Sequence, residues 1–239
     1  MEFPVPLEEA VLLRRYKRFL ADISLPGGEE TTVHCPNPGA MLGVAPENAR
    51  CWVSRSPNKA RKLPLTLEIV ECPGPDGSAL VGINTHRPNA LAEEALRAGR
   101  IKGIEADVPL RREVRYGEEK SRIDLLAEPE GSPATYIEVK NCHFLRREDR
   151  VAEFPDCVTA RGLKHLRELI IMVEQGHRAL MLFIVQRGDA EGVAPAEDLD
   201  PKYADGLREA AASGVEIQAL RCDVSPTGIT ATTQVPIIL

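Results

Sequence analysis

Two short segments, SRIDLL (121–126) and TYIEVKN (135–141), constrain this chain more than any others. Branched and aromatic residues run between turn signals at Pro129, Gly131 and Pro133, so each segment reads as a β-strand. Side chains alternate along a strand, which places Tyr136, Glu138 and Lys140 on one face and Ile137 and Val139 on the other. Paired as a hairpin, the strands bring Asp124 beside Glu138. Two carboxylates that close repel unless a cation neutralises them, and hard oxygen ligands suit Mg²⁺ or Mn²⁺. A lysine beside such a site can hold or deprotonate a water, or stabilise charge on a phosphate. An acid and a lysine two apart on a strand also form an ordinary solvated pair. The spacing alone leaves both readings open.

Composition narrows the class. At 239 residues the chain suits one large domain or two small ones. It has no apolar run long enough for a transmembrane helix, and its start, MEFPVPLEEA, lacks the basic-then-apolar pattern of a secretory signal. Six cysteines lie scattered without a Cys-x-x-Cys pair, which fits reduced thiols and a cytoplasmic setting. His34 and Cys35 have no second ligand pair to make a zinc site, so both read as structural. The net charge of −6 argues against a nucleic-acid partner only if charge is evenly spread. It is not. Basic residues gather at Arg14–Arg18, at Arg55–Lys62, and at Arg111, Arg112, Arg115, Lys120 and Arg122, while acid collects in 189–209.

The first 82 residues read as five short strands, FLADISL, TTVHC, ARCWVSRS, LPLTLEIVE and ALVGINT, broken by Pro/Gly/Asn turns. That density of strands fits a small OB-like barrel, a usual surface for nucleic acid. Tyr16 and Trp52 read either as base-stacking residues or, for Trp52 above all, as core. From 83 to 239 the pattern changes to a helix at 88–99, three strands, a helix near 159–175, the apolar strand RALMLFIVQ, a helix near 200–213 and the strand GVEIQAL. In the second helix Leu163, Leu166, Ile170 and Val173 form an apolar stripe, and Arg161, His165 and Glu168 a polar one. Arg161 and Lys164, near the helix start, suit a phosphate backbone. His165 reads either as a phosphate donor or as a structural histidine.

An Asp, a hairpin-length gap, then Glu-x-Lys resembles the core motif of the PD-(D/E)xK nuclease superfamily. Over most of its length the chain is similar to the sugar fermentation stimulation protein family, through LLRRYKRFLADI, HCPNPGAM, VGINT, RREVRYG, SRIDLL, YIEVKN, FPDCVTARGLKHLREL and FIVQR. The resemblance implies an α/β (α+β) chain, with an OB-like barrel over 1–82 and a restriction-endonuclease-like mixed sheet over 83–239. It implies DNA as partner, of either strandedness, and is compatible with a homodimer. Asp124, Glu138 and the Val139 carbonyl would hold Mg²⁺ or Mn²⁺, with Lys140 as the third catalytic residue. Glu94, on the first helix, is a further candidate ligand, and Gln186 is a candidate polar neighbour of the metal. Arg111, Arg112, Arg115, Arg122, Arg161 and Lys164 are the candidate DNA contacts. Asp156, in FPDCVT, reads as a helix cap or as a partner of Arg161. The alternative is a non-catalytic DNA-binding regulator of sugar metabolism on a degenerate nuclease fold.

Overall fold

The computed structural model describes residues 1–146 and 148–239. Six strands open the chain: β1 (Glu8–Tyr16), β2 (Leu20–Ser24), β3 (Glu30–His34), β4 (Ala49–Arg55), β5 (Leu65–Gly74) and β6 (Gly77–Gly82). They pair in the order β3-β2-β1-β4-β5-β6, and a parallel contact at His34 and Thr66 joins β3 to β5, closing a five-stranded barrel with β6 appended. Closure removes exposed edges and encloses Leu12, Ile23, Val33, Val53, Leu67 and Val70. Trp52 is buried and packs towards the second half of the chain, so it is core rather than a stacking platform. All six cysteines are free thiols, five of them buried.

The first strand, EEAVLLRRY, was not among the sequence-derived strands. Its period of two is broken by a register shift between Leu12 and Arg14, and the run of basic residues hides its apolar side.

A second sheet follows, built from β7 (Leu110–Tyr116), β8 (Ser121–Ala127), β9 (Thr135–Cys142), β11 (Arg178–Val185), β13 (Glu216–Ser225) and β14 (Gly228–Val235), in the order β14-β13-β11-β9-β8-β7. β9, β11 and β13 run parallel, and the outer pairs are antiparallel. A short parallel pair, β10 (Val151–Phe154) with β12 (Gly192–Pro195), lies apart from it. The central strand β11 has Leu180, Leu182 and Ile184 on one face and Met181, Phe183 and Val185 on the other, all buried. The first set packs on α1 (Pro88–Arg97), the second on α2 (Ala160–Glu174) and α3 (Pro201–Ala212). Among the described residues no helix is long and apolar enough to cross a membrane.

Barrel and sheet meet where β6 runs past the end of β11. The Gly82 amide donates to the Gln186 carbonyl at 2.8 Å, and the Gln186 side-chain amide donates to the Asn84 carbonyl at 3.2 Å.

Candidate functional site

β8 and β9 pair through Leu125 and Ile137 and then part company at Asp124. Asp124 is also skipped in the pairing of β8 with β7, which passes from Arg112–Leu125 to Val114–Ile123. The alternation of β8 slips at the same point. Leu125 and Ala127 pack on the α1 side and Leu126 on the α2 side, yet Ile123 also joins the α2 side. Freed from the ladder, the Asp124 carboxylate accepts the Val139 N–H at 2.8 Å with one oxygen. The other accepts from the Asn89 amide of α1 at 2.8 Å.

Glu138 and Lys140 face α2, with Ile137 and Val139 turned to α1 as the alternation requires. Glu138 is 2% exposed, and its Oε1 accepts from Lys140 Nζ at 2.6 Å and from His165 Nδ1. Arg161 Nε donates to His165 Nε2 at 3.4 Å. The same Nδ1 lies 3.1 Å from Lys140 Nζ, so the imidazole sits between Arg161 and the Glu138–Lys140 pair. Arg161, His165, Glu138 and Lys140 thus form one chain of contacts from the N-terminal turn of α2 to the sheet.

The two carboxylates titrate in opposite directions. Burial, then the Glu138 charge, raises the Asp124 carboxyl to about 6 despite its two donors. Burial pushes Glu138 up as well, but Lys140 and His165 outweigh it and hold the group below its ordinary value. Glu138 Oε2 is buried and has no hydrogen-bond partner among the described residues. A buried acceptor without a partner is costly, and a cation shared with Asp124 would satisfy it. Among the described residues no three His, Cys, Asp or Glu side chains converge to hold a metal. A cation here would lean on two carboxylates, the Val139 carbonyl and oxygens from water or phosphate, a set that suits Mg²⁺.

Other candidates fall elsewhere. Glu94 points away, 49% exposed, and pairs with the Met1 ammonium at 2.5 Å. The buried side of α1 is Leu91, Ala92, Ala95 and Leu96, so the helix phase sends Glu94 outward and Asn89 to Asp124. Gln186 is wholly buried and braces the seam, donating to Asn141 Oδ1 at 2.7 Å and to Asn84. Arg111 is held by Glu128 at 2.6 Å and Arg112 by Glu93, whereas Arg115 and Arg122 are exposed cross-strand neighbours. Among the described residues neither Arg115 nor Arg122 has an ion pair, and Arg122 lies two residues from Asp124, about 7 Å along the strand. Lys164 donates to the Glu119 carbonyl at 2.7 Å.

Asp156 neither caps α2 nor meets Arg161. Thr159 makes the cap, accepting from the Gly162 amide at 3.0 Å. Asp156 instead reaches the barrel loop and accepts the Met41 N–H at 2.7 Å, so FPDCVT and HCPNPGAM are the two halves of one contact between barrel and sheet. Gly39 passes so close that a Cβ there would lie 2.8 Å from the Asp156 carboxylate. Asn89 and this docking contact escaped sequence reading. The only signal for Asn89 was its place after Pro88, on the first turn of a helix already expected to face the carboxylates.

Glu168, fully buried, secures the turn between β7 and β8. Its oxygens accept the Glu118 and Glu119 amides at 2.9 and 2.6 Å. Gly117 has φ +68, and a Cβ there would sit 1.7 Å from Glu168 Oε2. Gly117→Ala is expected to destabilise the fold by about 2–4 kcal/mol, combining left-handed strain with loss of those bonds. A urea midpoint within error of wild type would contradict this.

Comparison with known proteins follows the same division. A family model described as "Sugar fermentation stimulation protein RE domain" matches residues 86–228, and one described as "SfsA N-terminal OB domain" matches 13–83. A sugar fermentation stimulation protein homolog of Rhodospirillum centenum is 54% identical over 96% of each chain. One from Methylobacterium radiotolerans is 50% identical over 100% of this chain and 99% of its own. The solved structure of Pyrococcus furiosus SfsA in complex with Ca²⁺ is similar with a TM-score of 0.86 and 26% identity, covering 100% of this chain and 98% of that one.

Proposed function

The chain belongs to the sugar fermentation stimulation protein family, and on that footing we propose that it binds DNA and hydrolyses its backbone with a divalent cation held by Asp124 and Glu138. The observation that carries this reading is the buried carboxylate pair, with Asp124 pushed up by burial and then by the Glu138 charge, and with Glu138 Oε2 buried without a partner among the described residues. The Ca²⁺ complex of the similar Pyrococcus protein supports a cation, and the OB barrel supports a nucleic-acid partner.

In this reading a bound Mg²⁺ or Mn²⁺ supplies Lewis acidity towards a phosphate oxygen. Asp124, Glu138 and the Val139 carbonyl would hold the ion. Lys140 orients the attacking water and bears on charge that develops at the phosphate. Arg161 and the first turn of α2 receive the backbone, and Arg115 and Arg122 extend the contact along the β7–β8 edge. Lys140→Ala is expected to cost about 1–3 kcal/mol in transition-state stabilisation, with DNA affinity little changed. A cleavage rate equal to wild type would remove Lys140 from the chemistry. Arg115→Ala and Arg122→Ala should each flatten the slope of log K against log salt by about 0.9 on duplex DNA, alike for all sequences. An unchanged slope would place the DNA elsewhere.

One observation favours a second reading, a DNA-binding regulator without hydrolysis. Glu138 already has the Lys140 ammonium as a counter-charge and the His165 ring against the same oxygen. Crystals soaked in Mn²⁺ separate the two. Anomalous density between Asp124 and Glu138 is expected for the hydrolytic site, and an intact Glu138–Lys140 pair without density supports the regulator.

A further inference from the structure

A second cleft, of about 770 Å³, opens at the seam where β3 and β5 close the barrel, beside the entry to α1. Its size falls in the roughly 300–1,000 Å³ range of small-ligand sites. Two chemistries line it. Phe3, Val5, Pro36 and Pro57 give an apolar wall, and His34 and Arg61 give a polar one.

The floor is built and electrically settled. Glu68, 1% exposed, accepts from Ser54 at 2.7 Å, from Asn84 at 2.8 Å and from Arg87 at 2.6 and 3.1 Å. Arg87 neutralises it, and Arg55, at the rim, is paired with Glu8. Among the described residues Arg61 has no carboxylate partner. It donates instead to His34 Nδ1 at 3.1 Å. An imidazole that accepts at Nδ1 is neutral with its proton on Nε2, so His34 presents an N–H donor beside the Arg61 guanidinium.

Position adds to the chemistry. Arg87 lines the cleft and is the N-cap residue of α1. Asn89, which holds Asp124, is two residues further on, about 3 Å along the helix axis. The cleft and the Asp124 carboxylate therefore meet the same first turn of α1.

We propose that this cleft binds one nucleotide of a nucleic-acid strand, its phosphate on Arg61 and His34 and its base against the Phe3–Pro36 wall. The proposal rests on the reading that the chain binds DNA, and it deepens that reading by assigning a unit of unpaired strand to a defined place. A bare anion would use only the Arg61 side, and a purely apolar ligand only the opposite wall. A nucleotide uses both.

The test is a calorimetric titration of the whole chain with dAMP, deoxyadenosine and inorganic phosphate, each in chelator so that the carboxylate site does not contribute. Saturable binding of dAMP is expected, tighter than either fragment. Arg61→Ala should weaken dAMP at least tenfold. Val5→Asp, at a position 65% exposed and therefore harmless to the fold, should weaken it several-fold by repulsion. Phosphate binding as tightly as dAMP would make this a simple anion site and overturn the proposal. So would no saturation with dAMP, or an affinity indifferent to both substitutions. Binding of dAMP in chelator supports the cleft whether or not the chain cleaves DNA, so the two readings fail separately.

Discussion

Asp124→Asn is expected to abolish divalent-cation binding and, at neutral pH, to make the metal-free protein more stable. The carboxyl titrates at about 6 in the folded chain against 3.8 ordinarily, because burial and Glu138 oppose its charge. Between those values the folded state binds more protons than the unfolded, so metal-free stability falls as pH rises through the window and stays lowered above it. Removing the charge returns about 1–3 kcal/mol, allowing for partial solvent access. The replacement can still accept the Val139 N–H, and Asn89 can turn its amide to present oxygen instead of nitrogen. Mg²⁺ should stabilise the wild type at pH 7.5 and leave the variant unmoved, since a ligand that binds only the folded state adds to stability by mass action. Urea unfolding at pH 5 and pH 7.5, with and without Mg²⁺, reads all of this. A variant that is clearly less stable than wild type at pH 7.5 without metal would contradict the account of Asp124.

Glu138→Gln, at the neighbouring carboxylate, is expected to do the opposite. Glu138 is the anion of a buried cluster, with Lys140 and His165 both on Oε1 and their side chains 12% and 6% exposed. Breaking such a cluster by removing its anion strands the Lys140 ammonium in a poorly solvated place, which costs about 3–5 kcal/mol. The pH dependence also reverses. Glu138 is held below its ordinary value, so its contribution is present above the unfolded pKa of 4.5 and is lost as pH falls through the folded one. Two carboxylates on neighbouring strands thus carry opposite signs, one a penalty awaiting a cation and the other a keystone. Thermal melts of both variants at pH 7.5 compare them directly. A Glu138→Gln melt within a degree of wild type would show that the cluster carries no stability.

The architecture was legible wherever apolar periodicity ran without interruption. RALMLFIVQ read as a strand buried on both faces because β11 lies between two helical layers. The first two helices announced themselves through Pro88, Gly176 and the Leu166–Ile170 spacing. β10 and β12, four residues each, are too short to show a period, and β14, ITATTQV, is too polar on its outer face to stand out. At the site, Glu138 and Lys140 follow from strand alternation alone. The phase of α1 could not be fixed that way. Glu94 is expected on the inward edge and Glu93 away from it, but Glu94 pairs with the Met1 ammonium, Glu93 with Arg112, and it is Asn89 that meets Asp124. The polar stripe of α2 was visible as a stripe, yet its direction was not. His165 and Glu168 lie on the buried side, because each has a partner there that sits far away in sequence. Arg111 and Arg112 show the same limit, since cross-strand and inter-element acids occupy them, whereas Arg115 and Arg122 have no ion pair among the described residues.

The most direct test of hydrolysis at Asp124 and Glu138 is Mg²⁺- or Mn²⁺-dependent cleavage of single- and double-stranded DNA by wild type and Asp124→Asn, purified side by side. The account predicts cleavage by the wild type that chelator stops, and none by the variant, with both binding DNA in a salt-dependent way. Equal cleavage by the two proteins, or none by the wild type with either ion, would contradict it.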